Sequence, residues 1–97
     1  MSLAITLNGG ATEAKIGDAL VVAGTGGDVS EAHTLHFSNP DETLDVVATV
    51  MSDGGGAITS AGVVVVTPQV PGIYTVVCQD SDDVSKHASA TIEYFEV

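Results

Sequence analysis

Ninety-seven residues, 44% of them hydrophobic, are enough for one modest core and too few for two. Thirteen acidic side chains stand against Lys15 and Lys86, with no arginine, for a formal charge of −11; nucleic-acid binding is excluded, because counterion release from phosphates needs clustered basic residues, and an anionic membrane surface is disfavoured for the same reason. Leu, Ile, Val and Phe make up 27 of the 97 residues, enough for folding despite that charge, and the longest aliphatic run, Val63-Val64-Val65-Val66, is far short of the roughly 18 residues of a membrane helix.

Fifteen valines, five isoleucines and ten threonines favour a pleated surface over a helix. The opening Met1-Ser2-Leu3-Ala4-Ile5-Thr6 has no basic region before a long apolar one, so no secretory leader is expected. Leu3, Ile5 and Leu7 alternate with polar or small residues and predict a strand over 3–8, closed by Asn8-Gly9-Gly10. A second strand is expected over 18–24, ending in Gly24-Thr25-Gly26-Gly27-Asp28, a turn with neither the lysine of a phosphate loop nor the repetition of calcium-repeat glycines. A short helical connector is expected over 28–32, then strands over 33–38, where Leu35 and Phe37 flank His36, and 44–51, where Leu44, Val46, Ala48 and Val50 share one face. Ser52-Asp53-Gly54-Gly55-Gly56 reads as a turn; further strands follow over 62–67, 73–79 and 87–97, separated by Pro71-Gly72 and Asp80-Ser81-Asp82-Asp83. About seven short strands predict an all-β antiparallel sandwich, with a small barrel as the competing architecture, in one domain spanning 1–97 without repeat or linker.

Two stretches carry a family resemblance. Thr67-Pro68-Gln69-Val70-Pro71-Gly72-Ile73-Tyr74-Thr75-Val76-Val77 resembles the P-G-x-Y-T-V segment that opens a late strand in bacterial and phage immunoglobulin-like (Big or PKD-like) domains, and Lys15-Ile16-Gly17-Asp18-Ala19-Leu20-Val21-Val22 resembles their early v-G-D-x-l/v-x-v segment. The resemblance implies an immunoglobulin-like sandwich in which Gly72 makes the turn and Tyr74 forms a corner, its hydroxyl bonded to nearby backbone and its ring in the core. With one cysteine and no tryptophan, the chain resembles the disulfide-free branch found in surface adhesins, enzyme accessory modules and tailed-phage virion proteins.

Candidate chemistry is sparse. Cys78 shares parity with Tyr74 and Val76 and is expected to point into the core as a small hydrophobe. His33 and His36 are three apart and face opposite sides of a strand, so they cannot share a metal, and His87 lies far along the chain. In the acidic turn, Asp80, Asp82 and Asp83 are calcium candidates, since that ion takes six to eight oxygens; the alternative is a solvated turn, because the D-x-D-x-D-G loop and its distal glutamate are absent. Asn39-Pro40-Asp41-Glu42 is a second candidate of the same kind.

Apolar residues on faces expected to be wet carry the main functional signal. Val63 and Val65, Ile73 and Val77, and Phe95 break the one-sided pattern; either loops cover them or they form an interface. The expectation is a non-enzymatic protein without a cofactor, calcium aside, that docks through this apolar strand surface on a capsid or tail protein or on copies of itself. The resemblance places it on a virion surface as a phage capsid-decoration or tail-surface component. The alternative is a calcium-assisted adhesin or carbohydrate-binding domain of a larger extracellular, cell-surface protein.

Overall fold

The computed structural model describes residues 3–39, 41 and 44–96. Eight strands are found among them: β1 (Ala4–Leu7), β2 (Glu13–Lys15), β3 (Val22–Thr25), β4 (Ala32–Ser38), β5 (Asp45–Met51), β6 (Ile58–Thr59), β7 (Gly72–Asp80) and β8 (His87–Phe95). They form two sheets packed as a sandwich, one in the order β1-β3-β6 and the other β2-β8-β7-β4-β5. Every pairing is antiparallel except β2 with β8, which is parallel.

The period of two decides which residues enter the core. On β7, Tyr74, Val76 and Cys78 are buried while Ile73 is exposed, and their partners on β4 and β8 follow the same parity: Phe37 faces Val76, and Ile92 faces Tyr74. Leu7, Leu20, Val22, Ile58 and Val66 close the core from the other side. Tyr74 and Tyr94 meet edge to face, ring centroids 5.4 Å apart, a geometry favoured by the ring quadrupoles. The Tyr74 hydroxyl donates to the Val70 carbonyl at 2.6 Å, and Tyr94 Oη accepts from Asn8 Nδ2 at 3.1 Å.

Three local expectations give way to tertiary context. The valine run over 62–67 is no strand: Gly62 turns the chain at φ +76°, and the Val63 and Val64 amides both fold back onto the Ser60 carbonyl. The chain then crosses between sheets, held by Leu20 N–H to Val66 O and Gly17 N–H to Pro68 O, so only Val66 of the four valines is fully buried. Conversely β2, with little apolar pattern, forms because Ala14 lies opposite Tyr94 on β8. The 28–32 segment is a turn with Ser30 at φ 50°, not a helix. The expected strand end at Val97, and Pro40 and Glu42 of the second acidic candidate, lie outside the described residues.

Only β4–β5 and β7–β8 are joined within one sheet; the other connections cross between sheets. Three connections therefore meet at one end of the sandwich. Gly27 N–H reaches Gly56 O at 3.1 Å, Ser30 N–H reaches Asp53 O at 3.0 Å, and Ser81 N–H reaches Ala32 O at 3.0 Å.

Candidate functional site

Two surfaces stand out: the outer face of the five-stranded sheet, and the end where those three connections meet. Antiparallel register assembles the outer face in rows. His36 on β4 lies between Val47 on β5 and Val77 on β7, and Thr34 lies between Thr49 and Gln79 in the next row. On β8 the same face continues through His87, Ser89, Thr91, Glu93 and Phe95. Along β4, β5, β7 and β8 the charged side chains facing outward are Asp45 and Glu93, with Asp45 Oδ1 bonded to His36 Nε2 at 2.5 Å. In a chain of net charge −11, exposed Val47 lies in the central row of this face, while exposed Met51 and Ile73 lie towards strand ends, opposite Ala32 and Glu93. A shallow groove of about 230 Å³ lined by Thr34, His36, Val47, Val77 and Gln79 runs across it.

The structure divides the five residues expected at an interface. Ile73, Val77 and Phe95 share this face, whereas Val63 and Val65 sit, highly exposed, on the connection between β6 and β7. Val47 and Met51 join the face although sequence reasoning passed over them. Their signal was available, since both fall at the polar parity of their strand beside Asp45 and Thr49.

The end of the sandwich is chemically different. His33 on β4 and Asp80 on β7 are cross-strand partners on the inner face, each only 1% exposed. His33 Nδ1 lies 3.0 Å from the Glu31 carbonyl, which can only accept, so the proton sits on Nδ1. Its Nε2 faces Asp80 Oδ2 at 3.9 Å, beyond hydrogen-bond range. Asp80 Oδ1 accepts the Asp82 amide at 2.8 Å, and Oδ2 is buried with no hydrogen-bond partner among the described residues. One carboxylate oxygen from each of Glu31, Asp80 and Asp82 lies within 4.8 Å of the other two.

The charges around this point respond to one another. The Asp82 side chain against Glu31 pushes the Glu31 carboxyl above its ordinary value, with Asp80 and Asp28 adding to the effect. Lys86, whose Nζ lies 2.7 Å from Asp28 Oδ2, holds the Asp28 carboxyl below the usual carboxylate range, helped by the Asp80 side chain. Asp83 is turned elsewhere: its Oδ1 accepts both the amide and the hydroxyl of Ser85, at 3.1 and 2.6 Å. A cleft of about 310 Å³ lined by Gly27, Asp28, His33, Lys86 and His87 opens beside the cluster.

Cys78 lies in the core with no exposed surface. Burial pushes its thiol up to about 11, with the Asp80 charge adding to the shift. At pH 8 a thiol of that pKa is roughly one part in a thousand thiolate, so a maleimide or disulfide reagent is expected to label native protein only at the rate of unfolding and denatured protein at once. Fast labelling of the native state would refute the burial. The sign for stability follows: a raised pKa means that the folded state holds the proton more tightly, so this contribution is complete below about pH 9 and is lost as pH rises through about 11.

No protein-family model matches the chain, and no curated protein matches it significantly.

Proposed function

We propose that this chain is a non-enzymatic, immunoglobulin-like interaction module that docks on a larger protein assembly through the outer face of its five-stranded sheet, as a capsid-decoration or tail-surface component of a phage virion. The observation that carries the docking reading is the partly apolar central row of that sheet face, where His36 is flanked by Val47 and Val77 and the outward charges of Glu13, Lys15, Asp45 and Glu93 lie around it, on an otherwise strongly acidic molecule. Desolvating valine, threonine and serine costs little, and the charge elsewhere confines association to that face. The strand order supports the immunoglobulin-like assignment: β1-β3-β6 corresponds to strands A, B and E, and β8-β7-β4-β5 to G, F, C and C′. The corner bond of Tyr74 after the Pro71-Gly72 turn supports it further. The virion assignment rests on the resemblance of the Pro71 to Val77 and Lys15 to Val22 segments to bacterial and phage immunoglobulin-like domains, whose disulfide-free branch includes tailed-phage virion proteins beside adhesins and enzyme accessory modules.

Enzymatic roles find little support, since the one thiol is buried and His33 and His36 point to opposite faces of β4. Sugar binding by ring stacking is also poorly served, because Phe37, Tyr74 and Tyr94 are buried and Phe95 is only 39% exposed.

The double variant Val47→Glu/Val77→Glu places charge in the central row. It is expected to leave the core intact, because both side chains point outward, while weakening attachment at least about tenfold through uncompensated desolvation. Gradient-purified phage particles assembled with wild-type or variant chain, compared by quantitative mass spectrometry, test both parts. Stoichiometric wild-type chain and depleted variant support the reading. Absence of the wild-type chain from particles sinks the virion assignment, and equal incorporation of the variant sinks this face.

A further inference from the structure

We infer that Glu31, Asp80 and Asp82 form a calcium site that clasps the 26–31 loop to the β7–β8 turn. The site is independent of the docking reading, because it lies at the end of the sandwich rather than on the outer sheet face.

Two separate observations carry it. The first is convergence: carboxylate oxygens from two connections far apart in sequence lie within 4.8 Å of one another, inside the roughly 4.6–5.2 Å separating ligands on opposite sides of a Ca²⁺ ion with bonds of 2.3–2.6 Å. Like charges at that spacing repel unless a cation or proton stands between them. The second is the state of Asp80. Its carboxylate is 1% exposed, one oxygen is used by the Asp82 amide, and the other has no hydrogen-bond partner within bonding geometry among the described residues. Buried carboxylate oxygens left without a partner are costly and therefore rare. His33 Nε2 stops 3.9 Å away, and Lys86 is drawn to Asp28.

The donor set selects the ion. Three carboxylates are hard oxygen ligands, which suits calcium better than zinc, an ion held mainly by nitrogen and sulfur. Irregular spacing on a turn suits calcium better than magnesium, which demands near-octahedral geometry and sheds water reluctantly. Glu31 is half-buried and Asp82 exposed, so the outer side is open for waters to complete the shell. The site also replaces one expected ligand with another. Asp83 is committed to Ser85, and Glu31, nearly fifty residues earlier, takes its place.

The test is thermal unfolding of the full chain with CaCl₂, with MgCl₂, and with NaCl at matched ionic strength. For an open site of millimolar to submillimolar affinity, about 10 mM Ca²⁺ is expected to raise the wild-type Tm by roughly 5 °C or more, with a clearly smaller rise in Mg²⁺ and NaCl. Asp80→Asn and Glu31→Gln are each expected to lose the calcium-specific part of the rise, whereas Asp83→Asn keeps it. Because Asp80 is buried, isothermal titration of Ca²⁺ into Glu31→Gln provides a readout that does not depend on Asp80→Asn folding; affinity at least about tenfold below wild type is expected from the lost ligand charge. No calcium-specific Tm rise in wild type, an equal rise with NaCl, or wild-type affinity in Glu31→Gln would each overturn the site.

Discussion

Gly56→Ala is expected to destabilise the protein by about 3 kcal/mol or more, measured as a fall in the urea midpoint at unchanged m-value. Gly56 sits at φ +80°, where an alanine costs roughly 1–2 kcal/mol by backbone sterics alone. Its added Cβ would also overlap the carbonyl oxygen of Gly27, which is backbone and has no rotamer with which to escape. The approach is this close because Gly27 N–H donates to Gly56 O, locking the 26–31 loop against the turn between β5 and β6. Asp53 fixes that turn from the other side: its Oδ1 accepts the Gly55 and Ala57 amides at 2.8 and 2.9 Å, and these bonds, that from Ala57 foremost, hold its carboxyl below the usual range. Gly54→Ala is the internal control. A Cβ there meets nothing within 4 Å, so a change within about 0.5 kcal/mol is expected. Equal losses at the two glycines would mean that backbone entropy, not the Gly27 contact, sets the cost.

Tyr74→Phe is expected to cost about 1–3 kcal/mol with the fold retained. Removing the hydroxyl leaves the Val70 carbonyl without its 2.6 Å donor, while the ring, 1% exposed, keeps its contact with Tyr94; orphaning a partly buried acceptor accounts for that range. The bond spans four residues across the Pro71-Gly72 turn, where Gly72 has φ 147°, and so fixes how β7 enters the sheet. Tyr94→Phe makes a useful comparison. Its oxygen accepts from Asn8 Nδ2, and Asn8 still holds the Val21 amide through Oδ1 at 2.8 Å, so a loss near 1 kcal/mol is expected. A Tyr74→Phe protein as stable as wild type would remove the corner from the account of this fold.

The sequence by itself determined the all-β class, the two-sheet sandwich, and the core face of the strands with clear alternation. On β4, β5, β7 and β8 a side chain's face follows from parity alone, and parity is a local property of an extended chain. The same rule put Cys78 in the core and Ile73, Val77 and Phe95 on the outer face. What only the tertiary structure decided depends on pairing. β2 exists because β8 offers an edge to Glu13-Ala14-Lys15, and four consecutive valines are denied a regular strand by Gly62 and by the Val63 and Val64 amides, which fold back onto the Ser60 carbonyl. Neither outcome leaves a periodic trace. The acidic cluster shows the same division: Asp80 and Asp82 were visible as neighbours on a turn, but parity also turned Asp80 inward beside His33, and Glu31 reached them only when the connection before β4 folded over the end of β7. Charge and alternation are written along the chain, whereas the convergence of three loops is set by strand order, which few-residue patterns do not encode.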